Sequence, residues 1–136
     1  MMMTNLARAR TAAGAAVLLA AATIFAQTYP EKPVRMIVPL PPGTASDFLA
    51  RTLGQRLSDV YKQQVVVDNR AGAGGLIGSG IVAKANPDGY TLVMAAPPHI
   101  VGTLLQVNAP YRPVEDFAAV IEVATLPNVV IVAPAV

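Results

Sequence analysis

Three short apolar segments rich in β-branched residues recur along the chain, and each is followed by a turn and a segment with a helical pattern. They cover Val34 to Leu40, Gln64 to Asp68 and Tyr90 to Ala95. Short apolar runs bounded by Pro, Gly, Asn or Asp are typical of buried strands. Strands that alternate with helices form a parallel sheet with helices on its faces. The sequence therefore predicts an α/β fold with a mainly parallel sheet.

The segment after the first strand predicts an amphipathic helix that packs on this sheet. Ser46 can cap its start, and Asp47 is well placed in its first turn. The apolar side chains that follow at helical spacing are Leu49, Leu53, Leu57 and Val60. The same patterns predict further helices over residues 76–85 and 100–106, and further strands over residues 117–124 and 129–133.

The first 26 residues have the pattern of a secretory signal peptide. Arg8 and Arg10 precede an uncharged apolar run that ends at Ala26. A positive start, a short apolar stretch and a small residue at the cut are the features of such a leader. We expect cleavage after Ala26 and a periplasmic protein, and an uncleaved N-terminal anchor is the alternative.

Charge and composition exclude several classes of site. Ten Lys and Arg residues, of which two lie in the leader, stand against eight Asp and Glu residues, so the remaining chain has no net charge. That balance does not favour nucleic acid as a partner. The chain has no cysteine and one histidine, which predicts no metal site. The run from Gly72 has Ile77 where a dinucleotide fingerprint needs glycine, so no cofactor is predicted.

Three loops follow the predicted strands, at residues 41–47, 69–75 and 96–99. In an open α/β sheet, ligands bind beyond the carboxyl ends of the strands. Each loop leads into a predicted helix, whose first N–H groups and dipole favour an anion. The sequence therefore offers main-chain donors to a small acid.

Each of these loops also has a purely structural interpretation. The Pro41-Pro42-Gly43 run can serve only to end a strand, and Asp47 can serve only its own helix start. His99 can contact a ligand, or can lie in solvent or at the edge of the core. No nucleophile has an evident base partner, and no catalytic motif occurs, so the sequence predicts a protein that is not an enzyme.

Five motifs in order make the chain resemble the Bug family, the extracytoplasmic solute-binding receptors of tripartite tricarboxylate transporters. The family's patterns correspond here to YPEKP at 29–33, IVPLPPGTASD at 37–47, NRAGAGGLIG at 69–78, PDGYTL at 87–92 and PYRPVEDFAAV at 110–120. Thr44 occupies a usual glycine position, and a β-branched residue tolerates a positive φ poorly. We therefore expect the first loop to differ from the family's turn.

The resemblance implies a type II periplasmic-binding (Venus-flytrap) fold that captures a small carboxylate for membrane permease subunits. Such a ligand would be a di- or tricarboxylate, an acidic amino acid or an aromatic acid. The implied ligand-binding residues are Pro42, Gly43, Thr44, Ser46, Asp47, Gly72, Ala73, Gly74, Gly75 and His99.

Family members are more than twice as long as this chain. We therefore expect residues 27–124 to form the first α/β lobe, incomplete, and residues 125–136 to begin the crossover to a second lobe. On this expectation the chain is truncated and does not bind its ligand tightly alone. The alternatives are a non-functional fragment and a small exported α/β enzyme.

Overall fold

A computed structural model describes residues 29–125, 127 and 129–133. The signal peptide predicted over residues 1–26 lies outside the described residues. The chain divides into two units, residues 1–31 and residues 32–136. Of the first unit, residues 29–31 are described, and they include a cis peptide bond between Tyr29 and Pro30.

The second unit contains a three-stranded sheet, formed by β1 (Val34–Val38), β2 (Val65–Asn69) and β3 (Thr91–Val93). The strands lie in the order β2-β1-β3, and both pairings are parallel. Val34 pairs with Val65, and Arg35 pairs with Thr91. The predicted parallel α/β sheet is therefore confirmed, although β1 and β3 are shorter than their sequence patterns indicate.

Three helices connect and follow these strands. They are α1 (Ala45–Tyr61), α2 (Leu76–Ala83) and α3 (Pro98–Leu104), and a 3₁₀ turn over Ala73–Gly75 precedes α2. Helix α1 packs on β1 and β2, whereas α2 packs on β1 and β3. In the part of the chain that the structure describes, no helix is long and apolar enough to cross a membrane.

The main core lies between α1 and one face of the sheet. Alternate residues of β1 point to this face, and Val34, Met36 and Val38 are each buried there against Ala50 of α1. Ile37 points to the opposite face and is fully buried. Burying one such side chain stabilises the fold by roughly 1.5–3 kcal/mol. The central strand is therefore covered on both faces and fixes the position of the loop that follows it.

Helix α1 contacts the sheet through small residues together with part of the predicted apolar stripe. Ala50 and Gly54 are buried, whereas Val60 is 73% exposed, so its predicted burial is wrong. A Cβ atom at Gly54 would lie 3.3 Å from Val67 Cγ2. Because the small residues allow the backbone so close to β2, the larger Leu53 and Leu57 pack at the sides of the contact and are partly buried.

The two strands predicted near the end of the chain are absent from the described residues. Residues 117–124 and 129–133 have irregular backbone, and Val129 to Val132 are 77–92% exposed. A strand needs neighbours that take up its backbone hydrogen bonds. Their β-branched composition suits a strand, but in the described part of the chain no neighbouring strand pairs with them.

Candidate functional site

The strand order determines where a ligand can reach the sheet. The chain passes from β1 to β2 on one side of β1, and then crosses over to β3 on the other side. At such a reversal, the loops beyond the carboxyl ends diverge and leave a crevice. The loops concerned are residues 39–44 after β1, 70–75 after β2 and 94–97 after β3.

The first two loops and the start of α3, which follows the third loop, meet at this edge of the sheet. A Cβ atom added at Gly75 would lie 3.3 Å from the Pro39 oxygen and 3.5 Å from Pro98 Cβ. One added at Gly78 would lie 2.6 Å from the Arg70 oxygen and 2.8 Å from Pro39 Cα. Only glycine permits this approach of α2 to the loop after β1. Residues 42–47 and 72–75 are thus brought to one edge of the sheet.

The start of α1 is capped by Thr44, not by Ser46 as the sequence predicted. Thr44 is extended, with φ −77° and ψ 162°, and its Oγ1 accepts a hydrogen bond from the Asp47 N–H at 3.4 Å. The positive φ of this turn falls on Gly43, at +83°. Thr44 is not strained, because it takes the extended backbone of an N-cap, and the expectation that this loop differs from the family's turn stays a prediction.

Two main-chain donors at the start of α1 have no acceptor within the helix. These are the N–H groups of Ala45 and Ser46, the first two residues of the helix. Ser46 is 8% exposed, and its hydroxyl pairs with no other described residue. Among the described residues, every side-chain nitrogen or oxygen that is fully enclosed has a hydrogen-bond partner. Because the Ser46 hydroxyl has no partner, it is not fully enclosed and retains contact with solvent. Together they offer an incoming anion two N–H donors and one O–H donor.

Asp47 points away from this donor set and into a network of its own. Its Oδ2 accepts a hydrogen bond from the Gly43 N–H at 3.0 Å, and its Oδ1 accepts one from Asn69 Nδ2 at 3.0 Å. Arg51 forms an ion pair with the same carboxylate at 3.0 Å. Asp47 is 5% exposed. The sequence placed Asp47 among the ligand-binding residues, and the structure places its carboxylate among partners within the chain.

These donors lower the pKa of the Asp47 carboxyl to about 2. The Gly43 N–H contributes most, followed by the Arg51 guanidinium and the Asn69 amide, while burial acts in the opposite direction. The carboxylate is therefore ionised at neutral pH, and its charge is balanced by Arg51.

The glycine-rich loop turns in the left-handed sense. Gly72, Ala73, Gly74 and Gly75 have φ values of +132°, +47°, +62° and +90°, and the Gly75 N–H donates to the Gly72 oxygen at 2.9 Å. Residues 72–74 are exposed and Gly75 is buried. The loop lies beside the start of α1, because Asn69 at its base bonds to Leu40 O and to Asp47.

His99 lies inside the molecule, at its core edge. It is 7% exposed, and its Nδ1 lies 3.1 Å from Ser79 Oγ while its Nε2 lies 3.2 Å from the Pro113 oxygen. Because a carbonyl can only accept, Nε2 carries the proton in this bond. The ring stacks on Tyr111 and meets Phe117 edge-on, with centroid distances of 5.1 and 4.6 Å. This placement matches the structural interpretation of His99.

Two surface grooves border the elements of the site. A groove of about 400 Å³ is lined by Ala73 of the glycine-rich loop, by residues of α2 such as Ile81, and by residues of the segment after α3. A second groove runs between α1 and β2. Neither groove is lined by Pro42, Gly43, Thr44 or Ser46; of these residues Pro42 and Gly43 are exposed, Thr44 is half-buried and Ser46 is buried. Within the described ranges, no three His, Asp or Glu side chains come close enough to hold a metal ion.

Arg51 and Asn69 belong to the site, and the sequence analysis did not single them out. Arg51 follows Asp47 by four residues on α1, which is a spacing that favours an ion pair and could have been recognised. Asn69 joins a carboxylate 22 residues away. No local pattern reports a contact of that separation.

A parallel α/β lobe whose loops meet at a strand reversal has the architecture of a lobe of the periplasmic-binding class. The sequence pattern of the protein family described as the tripartite tricarboxylate transporter family receptor matches residues 49–136. The chain belongs to this family, which confirms the resemblance to Bug receptors. Protein BugT of Bordetella pertussis is 46% identical over 116 residues, which are 84% of this chain and 36% of BugT. The chain thus spans little more than a third of that relative's length.

Solved structures share the fold of the described lobe. The periplasmic binding protein BugD is 37% identical, with a TM-score of 0.59 over 65% of this chain and 30% of that one. Rpa4515 of R. palustris, solved with adipate, is 38% identical, with a TM-score of 0.60 over 62% of this chain and 29% of that one. These similarities confirm a partial periplasmic-binding-protein domain.

Proposed function

We propose that this chain forms the carboxylate-binding wall of a periplasmic solute receptor, and that it acts by binding rather than by catalysis. Residues 27–124 are the first lobe, and residues 125–136 begin the crossover. The leader over residues 1–26 directs the chain to the periplasm and is cut after Ala26. The captured acid passes to the membrane permease subunits of a tripartite transporter.

The observation that carries this proposal is the donor set at the start of α1. The N–H groups of Ala45 and Ser46 and the Ser46 hydroxyl lie at the loop edge near the glycine-rich loop, where Ala45 is exposed and Ser46 is buried with its hydroxyl still in contact with solvent. The positive end of the 17-residue helix adds to their attraction for an anion. Asp47 does not compete for these donors, because its carboxylate is bonded to Gly43, Asn69 and Arg51.

The ligand class follows from this chemistry and from the relatives. A carboxylate has two acceptor oxygens that match neighbouring N–H and O–H donors. The structural neighbour Rpa4515 was solved with adipate, a linear dicarboxylate. Pro42, Gly43, Thr44 and residues 72–75 form the rim against which the rest of such an acid would lie.

The expected affinity of the chain alone is low. A hydrogen bond to a charged group is worth about 1.5–3 kcal/mol, and the helix dipole adds about 0.3–1 kcal/mol at an exposed site. Two or three such bonds and the dipole sum to about 3–10 kcal/mol, and immobilising the ligand costs at least about 4 kcal/mol, so no more than about 6 kcal/mol is left. A value of about 4 kcal/mol within that limit corresponds to a Kd of about 1 mM.

An NMR titration of the ¹⁵N-labelled chain with adipate tests this proposal. We expect the amide signals of Ala45 and Ser46 to shift first and furthest, and to saturate with a Kd of about 1 mM. Adipamide, which has the same chain length and no charge, is the matched ligand and should leave them unmoved. Shifts scattered over the surface would instead support the alternative of a non-functional fragment. The absence of any shift with adipate at 20 times the expected Kd of about 1 mM would support the same alternative.

A further inference from the structure

We propose that Asp47, Asn69 and Arg51 are positioning residues that hold the donor loop in its binding conformation without touching the ligand. This inference rests on the proposed carboxylate-binding function. The three side chains form one hydrogen-bonded set that joins α1, the loop after β1 and the base of the glycine-rich loop.

The first part of the set fixes the turn before α1. Asp47 Oδ2 accepts the Gly43 N–H at 3.0 Å across four residues, while the Asp47 N–H is itself held by Thr44 Oγ1. Thr44 Oγ1 in turn donates to the Pro41 oxygen at 3.0 Å. The Gly43 N–H is thereby turned inward and withdrawn from any ligand. The donors at the start of α1 that stay without a partner in the helix are those of Ala45 and Ser46.

The second part joins two loops that are distant in the sequence. Asn69 Nδ2 donates both to the Leu40 oxygen at 3.1 Å and to Asp47 Oδ1 at 3.0 Å. Asn69 is the last residue of β2, directly before the glycine-rich loop. One amide group therefore sets the position of that loop relative to the start of α1.

The third part balances the charge. Arg51 Nε donates to Asp47 Oδ2 at 3.2 Å, and its Nη2 donates to Asn69 Oδ1 at 2.9 Å. An unbalanced carboxylate beside a carboxylate-binding site would repel the ligand. Because the guanidinium is bonded to both partners, it neutralises Asp47 in place, and it is not the counterion of the ligand.

The first experiment needs no ligand and measures the exchange of the Gly43 amide hydrogen by NMR in the full chain. Asp47→Ala should speed this exchange at least about tenfold. Asp59→Ala removes an exposed carboxylate from the same helix and is the matched control, with no change expected. Unchanged exchange at Gly43 in Asp47→Ala would overturn the proposal, whatever the chain binds.

The second experiment exchanges the two partners. Asn69→Asp places two carboxylates against each other, and it should weaken adipate binding at least about tenfold. In the double variant D47N/N69D, the new amide can again accept from Gly43 and donate to the new carboxylate, which Arg51 can pair, whereas the hydrogen bond to the Leu40 oxygen stays lost. We expect its affinity to recover in part, to at least about threefold above that of Asn69→Asp.

The outcomes separate this inference from the proposed function. An affinity of the double variant no higher than that of Asn69→Asp would show that the side chains do not act as a pair, and would overturn the inference. Failure of the unchanged chain to shift with adipate would contradict the proposed function, while Gly43 exchange would still decide whether Asp47 holds the loop.

Discussion

The close approach of α2 to the loop after β1 makes a quantitative prediction about a single methyl group. A Cβ atom at Gly78 would lie 2.6 Å from the Arg70 oxygen, 2.8 Å from Pro39 Cα and 2.9 Å from Pro39 Cβ. Two of these three atoms belong to the backbone and cannot rotate away. The helix must therefore move off the sheet edge, and the three loops must separate.

The expected cost follows from two opposing effects. Replacing glycine by alanine inside a helix stabilises it by about 0.5–1 kcal/mol. Overpacking costs about 1–3 kcal/mol, and rigid backbone neighbours place this site at the upper end. Gly78→Ala should therefore lower the free energy of unfolding by about 2 kcal/mol.

Gly80 is the matched control, because it lies in the same helix with ordinary contacts of 3.6 Å or more. Gly80→Ala should stabilise the chain by up to about 1 kcal/mol. Urea unfolding, with m of about 1–3 kcal/mol/M, should separate the two midpoints by about 1 M or more. Equal midpoints for Gly78→Ala and Gly80→Ala would refute the claim that a bare backbone at Gly78 brings the loops together.

Three further predictions concern buried contacts and acid. The folded-state pKa of Asp47 is lowered to about 2 from 3.8, so its stabilisation is complete above pH 5 and is lost as pH falls from about 4 to 2; the Tm difference between the chain and Asp47→Asn should shrink over that range. Ser79→Ala leaves His99 Nδ1 unpaired and should cost about 1–3 kcal/mol in urea unfolding. Leu76→Ala should cost about 2–5 kcal/mol, whereas Ile77→Ala, half exposed, should cost less than about 1 kcal/mol.

The elements that local patterns specify were predictable from the sequence. β1 begins at Val34 as predicted, and α1 begins two residues before the start that a cap at Ser46 predicted. The Gly-rich and Pro-rich loops follow the strands in the predicted order. These features depend on neighbouring residues, which the sequence shows directly, and on the right-handed strand–helix connection, which is a general rule for such folds.

The features that long-range contacts decide were not predictable in the same way. The Asp47 carboxylate, which the sequence placed at the ligand, bonds instead to Asn69, 22 residues away. The apolar segment 129–133 has the composition of a strand, but composition does not supply a neighbour with which to pair. His99 was left with two interpretations because its neighbours Ser79 and Pro113 lie 20 and 14 residues away.

The central claim is that main-chain groups, rather than a charged side chain, hold the acid. Replacing the Ser46 amide by an ester removes that one N–H donor and leaves every side chain in place. Adipate binding by this chain, followed by NMR titration, should weaken at least about tenfold, while the ester at Asp59 should leave it unchanged. Full affinity with the ester at Ser46 would contradict the account.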